Sequence, residues 1–329
     1  MQTRPLGKTG LKVSEISFGG WAIGGGWGGS DDQAAALALR VAIDQGVNLI
    51  DTAAGYGDGH SEKLIAGVLA EAAAEVYLAT KIPPAPGPWP PSPYCNNADR
   101  YPRNYLRENL EQRLRLLKVE TIDLLQLHTW TAAWNDDPEP LLTLQKLREE
   151  GKLRFIGVST PEQDQSCVID LMRDGLVDVV QVIFNLFHQE PAAQILPVAA
   201  QTKTGVLVRV SLDEGVLTGK YAADHRFPED DFRSKYFAGD RMARAVERVG
   251  AIREDLKAAK LQDTYSLADL AIRFALDAAP GVSSVITGIR TEDQARSNAA
   301  VSSLPPLPET LLKQIRRHNW LRGVWYGGK

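Results

Sequence analysis

The sequence predicts an α/β fold: a single-domain (β/α)8 barrel of the TIM type with extra helices. Three observations carry this expectation. Eight short apolar runs of strand character recur along the chain, and amphipathic helical segments lie between them. Most runs are continuously apolar rather than alternating, as parallel strands buried on both faces are. Eight β–α steps also exceed what an open, doubly wound sheet expects.

In chain order the runs are EISFGG near Gly19, VNLID ending at Asp51, VYLATK ending at Lys81 and IDLLQLH ending at His128. LRFIGVS ending at Ser159, VDVVQVIFN ending at Asn185, VLVRVS ending at Ser211 and VSSVIT ending at Thr287 follow. Between them, segments such as DQAAALALRVAIDQG, NYLRENLEQRLRLL and SLADLAIRFALDA repeat apolar residues at helical spacing. Successive strand ends fall 26 to 47 residues apart, except for 76 between Ser211 and Thr287. That wide gap contains an extra helical stretch near 240–260, expected to cover one mouth of the barrel. Residues 82–102, IPPAPGPWPPSPYCNNADRYP, are too rich in proline for a helix or a central strand. They read as a long functional loop after the third strand. No linker divides the chain, so residues 1–329 are expected to form one domain.

Composition narrows the class. The 329 residues carry 37 Lys and Arg against 41 Asp and Glu, a net charge of −4, with 44% hydrophobic and 24% charged residues. This is an ordinary globular chain, long enough to bury a large core without disulfides or structural metals. A mildly acidic chain without a basic stripe argues against nucleic-acid binding, and Arg316-Arg317 reads as a solvated helix end. Cys95 and Cys167 stand at no metal spacing and suit a reducing compartment. MQTRPLGKTG has no apolar core of signal-peptide type, and no run of about 18 apolar residues occurs. The expectation is a cytoplasmic protein with neither a membrane nor a metal partner.

Gly24-Gly25-Gly26-Trp27-Gly28-Gly29 satisfies G-x-G-x-x-G, with Asp51 about 20 residues later, where a dinucleotide fold places its ribose-binding acid. The glycines begin several residues past the strand, however, so the segment reads as a loop over the first strand. More informative are Asp51, Lys81 and His128, which end three successive strands, with Tyr56 five residues past Asp51. In a parallel barrel the strand ends meet on one face, where active sites are built. Singly, His128 reads as a bonded core histidine, Asp51 as a helix-capping acid and Lys81 as a solvated strand end. Together with Tyr56 they converge on a site, since polar groups at apolar strand ends are costly in a core.

Such a set suits proton donation. A tyrosine with an ordinary pKa near 10 is a poor acid catalyst at neutral pH. An ammonium about 4 Å from its oxygen favours phenolate by roughly 4 kcal/mol at an effective dielectric of about 20. That lowers the pKa by up to ~3 units before desolvation is counted. Asp51 would hold Lys81, and His128 would donate to a substrate oxygen that becomes negative.

At these residues the chain resembles the aldo-keto reductase superfamily, along nearly its whole length. RPLGKTGLKVSEISFGGW resembles the family's N-terminal hairpin, which closes the barrel bottom, and its first strand. NLIDTAAGYGDGHSEKLIAGVL resembles the signature around the aspartate and tyrosine, and LATK and DLLQLH the segments with the lysine and histidine. The resemblance implies a catalytic tetrad of Asp51, Tyr56, Lys81 and His128. LTGKY at 217–221 is similar to the bacterial branch with a long loop after strand seven.

The same resemblance implies NADP(H), with NAD(H) as a second possibility, across the barrel mouth. Ser159 and Gln181 would meet the nicotinamide end, and Thr160 stands where the family usually has Asn. VLVRVSLDEG aligns with the family's AYSPLxxG pattern, so Ser211, Leu212 and Gly215 join the cofactor site. Arg209 there takes the place of the Tyr that stacks on nicotinamide. A guanidinium can stack on an aromatic ring, and its charge favours the neutral, reduced form. Leu217, Gly219 and Lys220 would cover the pyrophosphate. Gly288, Arg290, Gln294 and Asn298 would meet the adenosine phosphate end, with Gln294 in place of a frequent Arg. Independently, Thr291-Glu292-Asp293-Gln294 reads as a capping box opening a helix suited to anions.

Trp21, Trp89 and Trp130 fall on loops after strands one, three and four. They read either as a substrate wall or as loop packing. The tail RRHNWLRGVWYGGK reads as a surface-packed segment, with a fold over the site or an oligomer contact as alternatives. The implied activity is NADP(H)-dependent reduction of an aldehyde, ketone or sugar carbonyl, or its reverse, by a monomer or homo-oligomer. An NADP(H)-binding regulatory subunit is the alternative from another class, and a sugar isomerase or lyase without nicotinamide a third.

Overall fold

The computed structural model describes residues 1–25, 28–29 and 31–325. The chain opens with an antiparallel pair, β1 (Thr3–Pro5) and β2 (Lys12–Ser14), with Arg4 opposite Val13. The next strands are β3 (Ile16–Gly19), β4 (Leu49–Asp51), β5 (Tyr77–Ile82) and β6 (Ile122–Leu127). β7 (Leu153–Ser159), β8 (Val179–Ile183), β9 (Gly205–Arg209) and β10 (Val282–Gly288) complete a closed, all-parallel barrel in which β10 pairs with β3.

The helices are α1 (Asp32–Asp44), α2 (His60–Leu69), α3 (Asn97–Arg100), α4 (Arg103–Leu117), α5 (Glu139–Glu149) and α6 (Ile169–Arg173). They continue as α7 (Ile195–Thr202), α8 (Arg233–Tyr236), α9 (Arg241–Ala258), α10 (Leu267–Asp277), α11 (Glu292–Ala300) and α12 (Glu309–Ile315). Local chemistry sets their starts. Asp31 accepts the amides of Gln33 and Ala34 at 3.0 and 3.1 Å before α1, and Ser266 and Asp269 form a capping box on α10. Among the described residues no helix is long and apolar enough to cross a membrane.

Strand pleating explains where the site lies. Successive strand residues face opposite sides. Leu49, Ala79, Leu124, Val179 and Leu207 share an apolar layer inside the barrel with Leu6, Leu11 and Val13, so the hairpin region plugs this end. Two residues further along the same strands stand Asp51, Lys81, Gln126, Gln181 and Arg209, facing the same interior at the opposite end. The intervening Ile50, Leu125, Val180 and Val208 face outward into the larger core beneath the helices.

Several boundaries differ from the sequence reading. β6 stops at Leu127, leaving His128 just beyond it, and β8 stops at Ile183 rather than Asn185. β9 stops at Arg209 rather than Ser211 because Val210 turns to φ +58°, outside the strand region. The proline-rich segment carries one helical turn, α3, where the prolines end and Asn96 accepts the amide of Ala98. The extra helix, α9, braces the loop after β9, with Arg253 donating to the Gly219 carbonyl at 3.2 Å, and supplies none of the residues that line the cavity at the strand ends.

Candidate active site

Tyr56 is positioned by backbone. Just past β4, the amides of Thr52 and Ala54 donate to the carbonyls of Ala79 and Lys81, so this loop continues along β5. A Cβ on Gly57, at φ +63°, would lie 2.3 Å from the Gly24 carbonyl oxygen, and one on Gly24 2.8 Å from the Tyr56 backbone. Two glycines therefore let the first loop press against Tyr56. The expected glycine loop does no more that can be described, because Gly26 and Trp27 lie outside the described residues.

Lys81 is fully buried and its three donors are directed. Nζ donates to Asp51 Oδ2 at 2.5 Å, to the Thr52 carbonyl at 2.9 Å and to Tyr56 Oη at 3.4 Å. The other oxygen of Asp51 accepts from Gln181 at 2.8 Å and from Gln126 at 3.3 Å. This pairing and bonding offset the cost of burying both charges. The His128 ring meets Tyr56 edge-on at 5.8 Å, and Trp89 packs against His128 at 5.6 Å. Gln126 was missed in the sequence, although its place two residues after Leu124 marks it as inward-facing.

The phenol runs against expectation. Burial raises the Tyr56 pKa above its ordinary value more than Lys81 and Arg209 lower it, while Asp51 raises it further. The lysine is where the sequence placed it, but desolvation outweighs its field.

Asp51, Tyr56 and His128 open onto a cavity of about 380 Å³, and Trp21 and Trp89 form an aromatic side of it. Ser159, Thr160, Gln181, Arg209, Ser211, Leu212, Gly215 and Lys220 continue its wall, and Gly288, Gln294 and Asn298 complete it. The remaining sequence candidates lie elsewhere. Lys81 sits behind Asp51 and Tyr56. Trp130 is fully buried, its indole donating to Asn135 at 2.8 Å and packing edge-on against Trp134. Leu217 belongs to the core, and Gly219 turns the chain at φ +71° beneath Leu267. Arg290 lines a neighbouring cavity with Asp31 and Thr291 and donates to the Gly29 carbonyl at 3.0 Å. The capping box at α11 is half formed: Thr291 accepts the Gln294 amide at 3.3 Å, but Gln294 Oε1 accepts from the Arg290 amide at 2.8 Å.

The tail also departs from the surface-packed reading. Arg322 lines the cavity and binds both oxygens of Asp213. Trp320 and Trp325 cover it, while Tyr326 to Lys329 lie outside the described residues. Asp213 and Glu214 are buried non-glycine residues in left-handed backbone, at φ +46° and +56°. Burial, with Asp213 alongside, pushes Glu214 up to about 8, and burial pushes His188 down to about 4. No motif in the sequence marks this acid pair as inward-facing, because it depends on a backbone conformation that side-chain type disfavours.

A model of the aldo/keto reductase family matches residues 15–319. The aldo-keto reductase YhdN of Bacillus subtilis strain 168 is 33% identical over 298 residues, 89% of this chain and 86% of the relative. The glycerol dehydrogenase AKR11B4 of Gluconobacter oxydans is similar in structure, with a TM-score of 0.76 at 30% identity, covering 96% of this chain and 94% of that one. An aldo/keto reductase from Klebsiella pneumoniae, solved with NADP and acetate, has a TM-score of 0.70 at 22% identity and covers 98% of each chain.

Proposed function

The chain belongs to the aldo/keto reductase family, and on that premise we propose that it is an NADP(H)-dependent oxidoreductase interconverting a small carbonyl compound and its alcohol. The observation that carries this reading is Tyr56, which lines the cavity and holds its hydroxyl 3.4 Å from the ammonium of Lys81.

The wall of the cavity suits a nicotinamide dinucleotide. Among the described residues the buried Nε of Arg209 has no partner, and open space lies where Gly288 would carry a side chain. Ser159, Gln181 and Arg209 would hold the nicotinamide end, and Gln294 and Asn298 the adenosine end. The relative from Klebsiella pneumoniae was solved with NADP. Such a cofactor supplies the hydride that reaches the carbonyl carbon.

The chain's residues supply the proton and the field. His128 donates to the carbonyl oxygen and orients it, and Tyr56 gives that oxygen its proton. A raised phenol pKa keeps Tyr56 protonated at neutral pH, which favours reduction, because the reverse reaction needs phenolate. Lys81, fixed by Asp51 and Thr52, stabilises the phenolate left behind. Gln126 and Gln181 hold Asp51 in place without adding charge.

A panel of aldehydes, ketones and sugars offered with NADPH and NADH, read by cofactor absorbance, tests the reading. Turnover with at least one carbonyl class is expected. Cofactor binding with negligible turnover across the panel would favour a regulatory subunit instead.

A further inference from the structure

Arg209, Glu162 and Glu214 all line the cavity, and among the described residues none of the three forms an ion pair. Arg209 donates from Nη2 to the Thr160 carbonyl at 2.9 Å, while its buried Nε has no partner among the described residues. Glu214 is 9% exposed and Glu162 partly buried. Among the described residues neither carboxyl forms a hydrogen bond or ion pair, although each feels the field of Arg209. Their neighbours are differently placed: Asp213 binds Arg322, and Arg233 binds Asp231 and Tyr221. Leaving the buried Nε of Arg209 and the largely buried Glu214 carboxyl without partners is costly within the chain itself. The arrangement is matched to a bound group.

We propose that Glu162 and Glu214 set the charge that Arg209 presents to bound nicotinamide, and thereby the preference of this chain between oxidised and reduced cofactor. The proposal rests on the nicotinamide reading above and deepens it. The oxidised ring is cationic and the reduced ring neutral, so a guanidinium beside it disfavours the oxidised form and a carboxylate offsets that effect. Every other charge of the dinucleotide is common to both forms and cancels in the ratio of their affinities.

The balance is pH-dependent. Glu214, pushed up to about 8 by burial and Asp213, is neutral at about pH 7 and ionised at about pH 9.5. Glu162 is raised by burial against the fields of Arg209 and Arg322. Facing the three groups from other elements are Tyr56, His188, Tyr221, Arg233, Tyr236 and Arg322, together with Asp213 and Lys220 on the same loop. Burial pushes His188 down to about 4 and raises Tyr56 and Tyr236.

Quenching of tryptophan fluorescence gives Kd for NADP⁺ and NADPH in the wild type, Glu162→Gln and Glu214→Gln, at about pH 7 and pH 9.5. Glu162→Gln should raise the ratio Kd(NADP⁺)/Kd(NADPH) by ~5-fold or more at neutral pH. In the wild type the ratio should fall several-fold toward pH 9.5, an arm that needs no variant, and Glu214→Gln should abolish that fall. Binding of both forms with ratios unchanged within about twofold throughout would overturn this inference alone. Failure of the wild type to bind either form would overturn the nicotinamide reading, and this inference with it.

Discussion

Arg322 clasps the carboxylate of Asp213 with both terminal nitrogens and donates to Tyr236 Oη at 2.7 Å. The two partners are 109 residues apart, so the end of the chain fastens the strained loop after β9 to the cavity wall. Both side chains are almost fully buried, and the guanidinium lies 4.5 Å from the ring centroid of Trp325.

Arg322→Ala leaves the buried Asp213 carboxylate unpaired. Breaking such a pair from one side costs about 3–5 kcal/mol. Urea denaturation of the variant should show a loss of this size, and a loss below about 1 kcal/mol would mean that the clasp does not hold the loop.

Glu214 opposes stability instead. Its folded pKa of about 8 lies above the usual carboxylate value, so it binds a proton more tightly folded than unfolded. Stability then falls as pH rises from the ordinary value, near 4.5, through about 8. Glu214→Gln should therefore stabilise the protein by up to about 4 kcal/mol at pH 8 and leave it nearly unchanged at pH 4. Equal effects at both pH values would contradict the assignment.

Trp89 and Trp130 should separate cleanly. Trp89→Ala opens the cavity beside His128 and should change KM for the substrate with a small effect on stability. Trp130→Ala empties a core position and should cost about 3–5 kcal/mol with KM unchanged. Denaturation midpoints and substrate saturation curves, measured on both variants, check the pair.

This contrast marks what the sequence could reveal. Barrel order was legible because continuous apolar runs and helical spacing are local signals, and Asp51, Lys81, His128 and Tyr56 were legible as polar groups at the ends of such runs. Loop residues carry no such phase. Trp130 falls within three residues of β6 yet points into the core, and only its bond to Asn135 shows why. The displaced cap at α11 turned on a choice Gln294 makes between two amides. Arg322 and Asp213 were unreadable as partners, since nothing local links a C-terminal arginine to a left-handed aspartate. The Tyr56 pKa went astray for another reason: a charge is visible in sequence, whereas the extent of desolvation is not.

Proton donation by Tyr56 is decided by Tyr56→Phe, followed as single-turnover oxidation of bound NADPH by a reactive aldehyde. Removing the hydroxyl while keeping the ring should slow that step by about 10²–10⁴-fold and leave Kd for NADPH within about twofold. A rate close to that of the wild type would contradict the role given to Tyr56 and to the lysine behind it.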